Sequence, residues 1–257
     1  QITIMDRLVP LYRQLSESGQ IELTTTPQYH PILPLIVDTD VARRATPQRP
    51  VPQRFSWPQD AAWHVETAAT QFEELFGARP KGMWPAEGSV SPEIIPLFRD
   101  AQVKWIASDE DVLMSSTPRP ADRATALYQP YTTGSGDEQI NILFRDHTIS
   151  DLIGFSYAHQ DAKVAAQDLV QRLTACGHQA QTGDAPLVSV ILDGENPWEA
   201  YTDDGRPFLN ALFALLESAP NLKTVLPAEH LASSPPLLHL DHLHSGSWIM
   251  ANFQIWI

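Results

Sequence analysis

Leu187-Val188-Ser189-Val190-Ile191-Leu192, followed at once by Asp193-Gly194-Glu195, is the stretch that decides the fold reading. It is short, almost continuously apolar, and bounded by Pro186 and Asp193. That is the pattern of a strand covered on both faces, as in a parallel sheet. Working outward, further short runs repeat it at Ile21 to Thr26, Lys81 to Trp84, Val103 to Ala107, Ile140 to Phe144 and, more weakly, Lys223 to Leu226. Helical spacing fills the gaps. Asp60 to Phe76 puts Val65, Ala69, Phe72 and Phe76 on one face, with Gly77 as the stop. Ser91-Pro92-Glu93 is a helix start, with a capping serine, a first-turn proline and an acid at the positive dipole end. Ala162 to Cys176 lines up Ala165, Leu169, Leu173 and Cys176 and should stop at Gly177. Pro207 to Glu217 carries Leu209, Leu212, Phe213 and Leu216, and the first seventeen residues read as a helix interrupted by Pro10. Strand–helix alternation of this kind predicts an α/β fold with a parallel sheet or a barrel. Thr39 to Pro58 and Ser115 to Asp137 read as long loops that shape a pocket.

Composition narrows the class. With 257 residues, 43% of them hydrophobic, the chain can bury a core of the size found in single-domain α/β barrels. A charged fraction of 19% with 22 prolines and 12 glycines is not that of a disordered chain. The balance of 31 acids against 17 bases, net −14, argues against nucleic acid and an anionic membrane as partners. No apolar run approaches the roughly 18 residues of a membrane span, and neither GxGxxG nor a Walker motif occurs. Cys176 is alone, which excludes an internal disulfide or a cysteine zinc site and suits a reducing compartment such as the cytoplasm. The chain starts at Gln1 and stops at Ile257 within an apolar run, and it is expected to be a piece of a longer one.

The candidate chemistry lies where strands end. Carboxylates follow the runs at 81–84, 140–144 and 187–192, and barrel enzymes build their sites at strand C-terminal ends. Glu87 sits in Trp84-Pro85-Ala86-Glu87-Gly88-Ser89, an acid beside an indole, which suits a sugar ring stacked on the aromatic. The plainer alternative is a solvated loop acid. Asp193 closes the apolar run, with Glu195, Trp198 and Glu199 after it. At the mouth of a buried strand it would be partly desolvated, as a general acid should be, although an ordinary capping role stays open. Two such carboxylates fit glycoside hydrolysis, whose retaining form needs a nucleophile and an acid/base about 5–5.5 Å apart. His239, His242 and His244 alternate with other residues in an extended, partly exposed stretch rather than forming a metal site. His30 and His147 are either core or loop histidines or substrate contacts.

Here the sequence resembles a known family. Gly19-Gln20-Ile21-Glu22-Leu23-Thr24-Thr25-Thr26-Pro27, running on through Tyr29-His30-Pro31 to Leu35, resembles the second sequence block of glycoside hydrolase family 57. Gly82-Met83-Trp84-Pro85-Ala86-Glu87-Gly88-Ser89-Val90-Ser91 is similar to its third block, and Val190 through Asp193-Gly194-Glu195-Asn196-Pro197-Trp198-Glu199 to its fourth. Phe144-Arg145-Asp146-His147 with Ser150 to Phe155, and Gly246-Ser247-Trp248-Ile249 with Ala251-Asn252-Phe253, resemble further stretches of amylopullulanase-like members. The resemblance implies a (β/α)7 barrel, incomplete in this chain, and a retaining mechanism on α-glucosidic bonds without cofactor or metal. Its first block, a strand ending in His-Gln-Pro, and its acidic, tryptophan-rich fifth block have no counterpart here, so the chain is expected to be part of a single catalytic barrel domain.

By matching position, Glu87 becomes the nucleophile and Asp193 the general acid/base. Glu22, His30, Trp84, Arg145, Asp146, His147, Glu195, Trp198 and Trp248 become the substrate-binding set or hold the catalytic pair. The implied partner is starch, glycogen or a maltooligosaccharide. Hydrolase and transglycosylase share the scaffold and stay open as alternatives. A non-catalytic glucan-binding module is a third reading. A metal-dependent deacetylase or mannosidase is a fourth, for which no convincing His/Asp ligand spacing is found.

Overall fold

The computed structural model describes all residues except Gln1, 118–121, 137 and 183–184, together with the side chains of residues 2 and 3. The chain forms two compact units. The first comprises Gln1–Pro118, Pro130–Leu143 and Leu226–Ile257, and the second Arg119–Gln129 and Phe144–Val225. No helix among the described residues is long and apolar enough to cross a membrane.

The first unit is organised by a five-stranded sheet in the order β1-β2-β4-β3-β5. Its strands are β1 Gly82–Met83, β2 Trp105–Asp109, β3 Tyr131–Thr133, β4 Ile140–Arg145, whose last two residues fall in the second unit, and β5 Leu238–Leu240. β1 and β2 are parallel, with Gly82 opposite Trp105 and Met83 opposite Ile106. β3 runs antiparallel to β4 and parallel to β5. All residues of β2 are buried, as a central strand requires. In β1 a Cβ on Gly82 would lie 2.1 Å from the Trp105 indole, so glycine is what lets that ring approach the strand. The run at 21–26 stays extended but pairs only through the parallel bridge of Thr25 to Met83, where the Trp84 N–H reaches the Thr25 carbonyl at 2.8 Å.

Helix Pro58–Phe76 matches the expected face. Proline opens it, and Val65, Ala68, Ala69 and Phe72 are buried. Gly77, at φ 85°, ends it by sending its N–H to the Glu73 carbonyl. Helix Ile2–Glu17 runs unbroken through Pro10. Ser91 leads into a short 3-10 turn, Pro92–Ile94, and helix Ile95–Asp100. The expected loop at 39–58 contains helix Val41–Ala45. The expected loop at 115–137 holds helix Arg123–Leu127 and strand β3, so much of it is structured. Its Pro118, Pro120 and Asp137 lie outside the described residues.

In the second unit, helices Ala162–Gln179 and Arg206–Ser218 pack on each other. Asp161 caps the first, its Oδ1 accepting from the N–H groups of Lys163 and Val164 at 3.0 and 3.1 Å. That helix continues past Gly177 to Gln179 because nothing at Gly177 breaks the backbone ladder. The second helix buries Phe208 and Leu212, while Phe213 stays exposed.

The run at 187–192, read as the strongest strand, forms among the described residues one parallel bridge, Arg145 to Ser189. Two of its N–H groups find partners outside a ladder. Leu187 donates to the Tyr128 carbonyl at 2.9 Å and Ile191 to the Ser150 hydroxyl at 3.1 Å. The run is half-buried throughout. The run at 223–226 forms no strand and ends instead at the start of helix Pro227–Ser233.

Candidate active site

Glu87 follows β1 at the C-terminal side of that strand, within a tight turn over Ala86–Gly88. Its φ is 59°, the left-handed region that costs an ordinary side chain about 1 kcal/mol or more. The turn is clamped from several sides. The Val90 and Gly246 backbones exchange hydrogen bonds at 2.8 and 3.0 Å, and the Trp248 N–H donates to the Glu87 carbonyl at 3.0 Å. The buried Ser108 hydroxyl, on β2, donates to the Gly88 carbonyl at 2.7 Å. Gly88 itself has φ 57°, and a Cβ there would meet the Trp84 ring at 3.0 Å and Trp248 Cβ at 3.4 Å.

Both carboxylate oxygens of Glu87 are held. His30 Nε2 lies 2.7 Å from Oε1, and the Trp248 indole N–H donates to Oε2 at 2.8 Å. The His30 side chain is 52% exposed and that of Glu87 23%, so a ligand can reach the pair. His30 is also left-handed, at φ 61°. Trp84 meets Trp248 edge to face, with ring centroids 5.4 Å apart. The first unit therefore gathers His30, Trp84, Glu87 and Trp248 around one carboxylate, four of the residues singled out in the sequence.

Glu22 has different neighbours. Its Oε1 accepts from the Trp105 indole at 2.7 Å and its Oε2 from the Ala228 N–H at 2.8 Å. It thus ties the second sequence block to β2 and to the first turn of helix Pro227–Ser233. Sequence reasoning missed Trp105 and Ser108. Trp105 lies within the apolar run 103–107, and Ser108 follows its end.

The second unit carries Asp193, half-buried in the bend after the 187–192 run. The Asn196 side-chain amide donates to its Oδ2 at 3.1 Å. Glu195 is exposed nearby. Trp198 packs on Gly205, where a Cβ would come within 2.4 Å of its ring, and lies 5.3 Å from the Tyr201 ring. Tyr201 sends its hydroxyl to the Ile153 carbonyl at 2.6 Å, and burial pushes its pKa up to about 12.

Arg145, Asp146 and His147 form a folded corner of this unit. Asp146 is 1% exposed. Its Oδ1 caps helix His147–Asp151 by accepting from the Ile149 N–H at 2.8 Å, and its Oδ2 accepts from the Tyr128 hydroxyl at 2.7 Å. Arg123 lies 3.2 Å from the same oxygen. Burial pushes the Tyr128 hydroxyl well above its ordinary range and raises the thiol of Cys176, whose Sγ is 3.0 Å from that hydroxyl. Arg145 and His147 both pair with Asp151, His147 through Nε2 at 2.9 Å. Asp146 is thus wholly inside the fold, whereas His147 is half-buried.

The histidine stretch behaves as an extended segment: Leu238–Leu240 is β5. His239 Nδ1 shares a hydrogen bond with Thr132 Oγ1 at 2.9 Å, and His244 Nε2 bonds the Ala251 carbonyl at 2.9 Å.

Residues 3–238 match the family described as Glycosyl hydrolase family 57. The chain belongs to that family, and its α/β architecture is the barrel type that the family implies. Alpha-amylase 1 of Dictyoglomus thermophilum is 26% identical over 96 residues, which are 37% of this chain and 11% of that protein. Among solved structures, an α-amylase from Thermotoga maritima aligns with a TM-score of 0.74 at 15% identity, covering 97% of this chain and 55% of that one. A branching enzyme from Pyrococcus horikoshii aligns at 0.74 with 15% identity, over 99% and 52%. A 4-alpha-glucanotransferase from Thermococcus litoralis aligns at 0.69 with 20% identity, over 93% and 32%. The chain thus spans about a third to a half of the length of these solved relatives and about a tenth of the curated one.

Proposed function

We propose that this chain carries the catalytic groups of a retaining enzyme acting on α-glucans, with Glu87 as nucleophile and Asp193 as general acid/base. The observation that carries the reading is the state of Glu87. It is a strained, firmly clamped carboxylate with its two oxygens fixed by His30 and Trp248, reachable from solvent and flanked by Trp84. A carboxylate so oriented can add to an anomeric carbon, and the Trp84 indole offers a face for the sugar ring. Membership of the family and the amylase, branching-enzyme and glucanotransferase names of its relatives support α-glucans as substrate.

In this mechanism Asp193 protonates the departing glycosidic oxygen while Glu87 forms the glycosyl ester. Asp193 then takes a proton from the incoming hydroxyl, so retention follows from two displacements. We assign the chain to part of one catalytic barrel domain. Glu22 is given a holding task, because both its oxygens already serve Trp105 and Ala228. His147, Glu195 and Trp198 are kept as substrate contacts, with Arg145 and Asp146 holding the corner that carries His147.

Glu87→Gln and Asp193→Asn in the full-length protein should each lower glucan turnover by about a thousandfold or more, while thermal unfolding stays near wild type. Wild-type turnover in either variant would sink the assignment. The second reading, transglycosylation, is favoured by the transferase and branching enzyme among the relatives. It differs only in whether a sugar hydroxyl or water accepts the glycosyl group. Incubation with maltooligosaccharide separates the two. Longer or branched products mark transfer, and only shorter reducing sugars mark hydrolysis.

A further inference from the structure

The two oxygens of Glu87 are not equivalent, and the difference bears on which one reacts. This step rests on the reading of Glu87 as the nucleophile. Oε2 accepts from the Trp248 indole, a group that can only donate. That residue is fixed two ways: by its own main-chain N–H on the Glu87 carbonyl and by the edge-to-face contact of its indole with Trp84. Oε1 faces His30 instead, a side chain that is half exposed and therefore borders the ligand-accessible side.

We propose that Glu87 attacks through Oε1, with His30 as the positioning residue that aims this oxygen and Trp248 as the one that fixes the other. A carboxylate oxygen accepts along two directions, so the His30 bond occupies one and leaves the second for the anomeric carbon. In the first half-reaction a lone pair of Oε1 forms the bond to the anomeric carbon as the glycosidic C–O bond breaks. The leaving oxygen takes its proton from Asp193. Oε2 becomes the ester carbonyl oxygen and keeps the Trp248 hydrogen bond throughout. In the second half-reaction the acceptor hydroxyl loses its proton to Asp193 and bonds the anomeric carbon. The electron pair of the ester C–O bond returns to Oε1, where His30 receives the restored carboxylate. Both partners thus serve a group whose charge disappears and returns, so they should act on turnover and leave substrate affinity largely alone.

The test compares His30→Leu, His30→Gln and Trp248→Phe in the full-length protein with a maltooligosaccharide substrate. His30→Leu should lower kcat by about 10- to 100-fold with KM within about threefold of wild type, the scale of one hydrogen bond to a charged group. His30→Gln, whose amide N–H can replace Nε2, should recover to within about fivefold. Trp248→Phe keeps the ring and loses the N–H. It should slow breakdown of the ester, read by mass spectrometry as more trapped glycosyl-enzyme after a fluorinated α-glucosyl fluoride. A rise in KM with kcat preserved in His30→Leu would place His30 on the sugar instead and overturn the proposal. So would a His30→Gln variant no better than His30→Leu. If Trp248→Phe does not fold, the His30 pair alone carries the decision. Glu87→Ala with added azide separates the two layers. A β-glucosyl azide product upholds the nucleophile independently of His30, and its absence removes the nucleophile reading and this proposal together.

Discussion

At the residue scale, buried charge is used here for structure as much as for chemistry. Asp146 stands next to Arg145 and His147 in a stretch resembling a catalytic family, yet its oxygens cap a helix and receive the Tyr128 hydroxyl in the interior. Asp146→Ala should cost about 2–4 kcal/mol of stability, the sum of a lost cap and a lost charge-assisted hydrogen bond, read by denaturant unfolding. A change below about 0.5 kcal/mol would show that the corner tolerates the loss. Gly82 makes the complementary case. Gly82→Ala sets a methyl 2.1 Å from the Trp105 ring. Moving that ring pulls it from Glu22 Oε1, so a loss of about 1–3 kcal/mol is expected, with a change in tryptophan fluorescence.

At the element scale, the helices were legible because their signals are local. The Gly77 stop of helix Pro58–Phe76, read from the sequence, acts within one turn, whereas the Asp161 cap of helix Ala162–Gln179 was seen only in the structure. Asp161→Ala should destabilise the second helix by about 0.5–2 kcal/mol, and hydrogen exchange should show the loss concentrated in its first turn. Strands were less legible because a ladder needs a partner. The run at 187–192 has the composition of a buried strand, but its N–H groups at 187 and 191 go to Tyr128 and Ser150. Asp193 was singled out as the residue at the mouth of that strand. It retains its place after the run, while the burial premise weakens to half-burial.

At the scale of the whole molecule, stability should fall on acidification in two windows. Burial depresses the pKa of the His244 imidazole, so the unfolded chain binds more protons than the folded one below the ordinary histidine value of about 6.5. Its contribution is therefore present at neutral pH and lost as pH falls through that value. His244→Asn should flatten the slope of unfolding midpoint against pH between about 7 and 5. Asp38, Glu66 and Asp168 are held below the usual carboxylate range by hydrogen bonds from Arg54, Arg79 and Arg172. Their contribution exists above the unfolded value of about 4 and disappears as pH drops through the lowered folded values. Exposed as these pairs are, added salt should shrink that second window.

The sequence by itself determined the family blocks, the class of α/β fold and the identity of Glu87 and Asp193 as the acids to watch, because these depend on residue type and local order. It also determined the main helices, whose hydrogen bonds close within a few residues. Only the tertiary structure decided what each polar group does. Glu22 serves Trp105 and Ala228, Asp146 turns inward, and His30 meets Glu87 across 57 positions of chain while Trp248 meets it across 161. Such contacts are set by how distant segments pack, and no short stretch of sequence contains both partners.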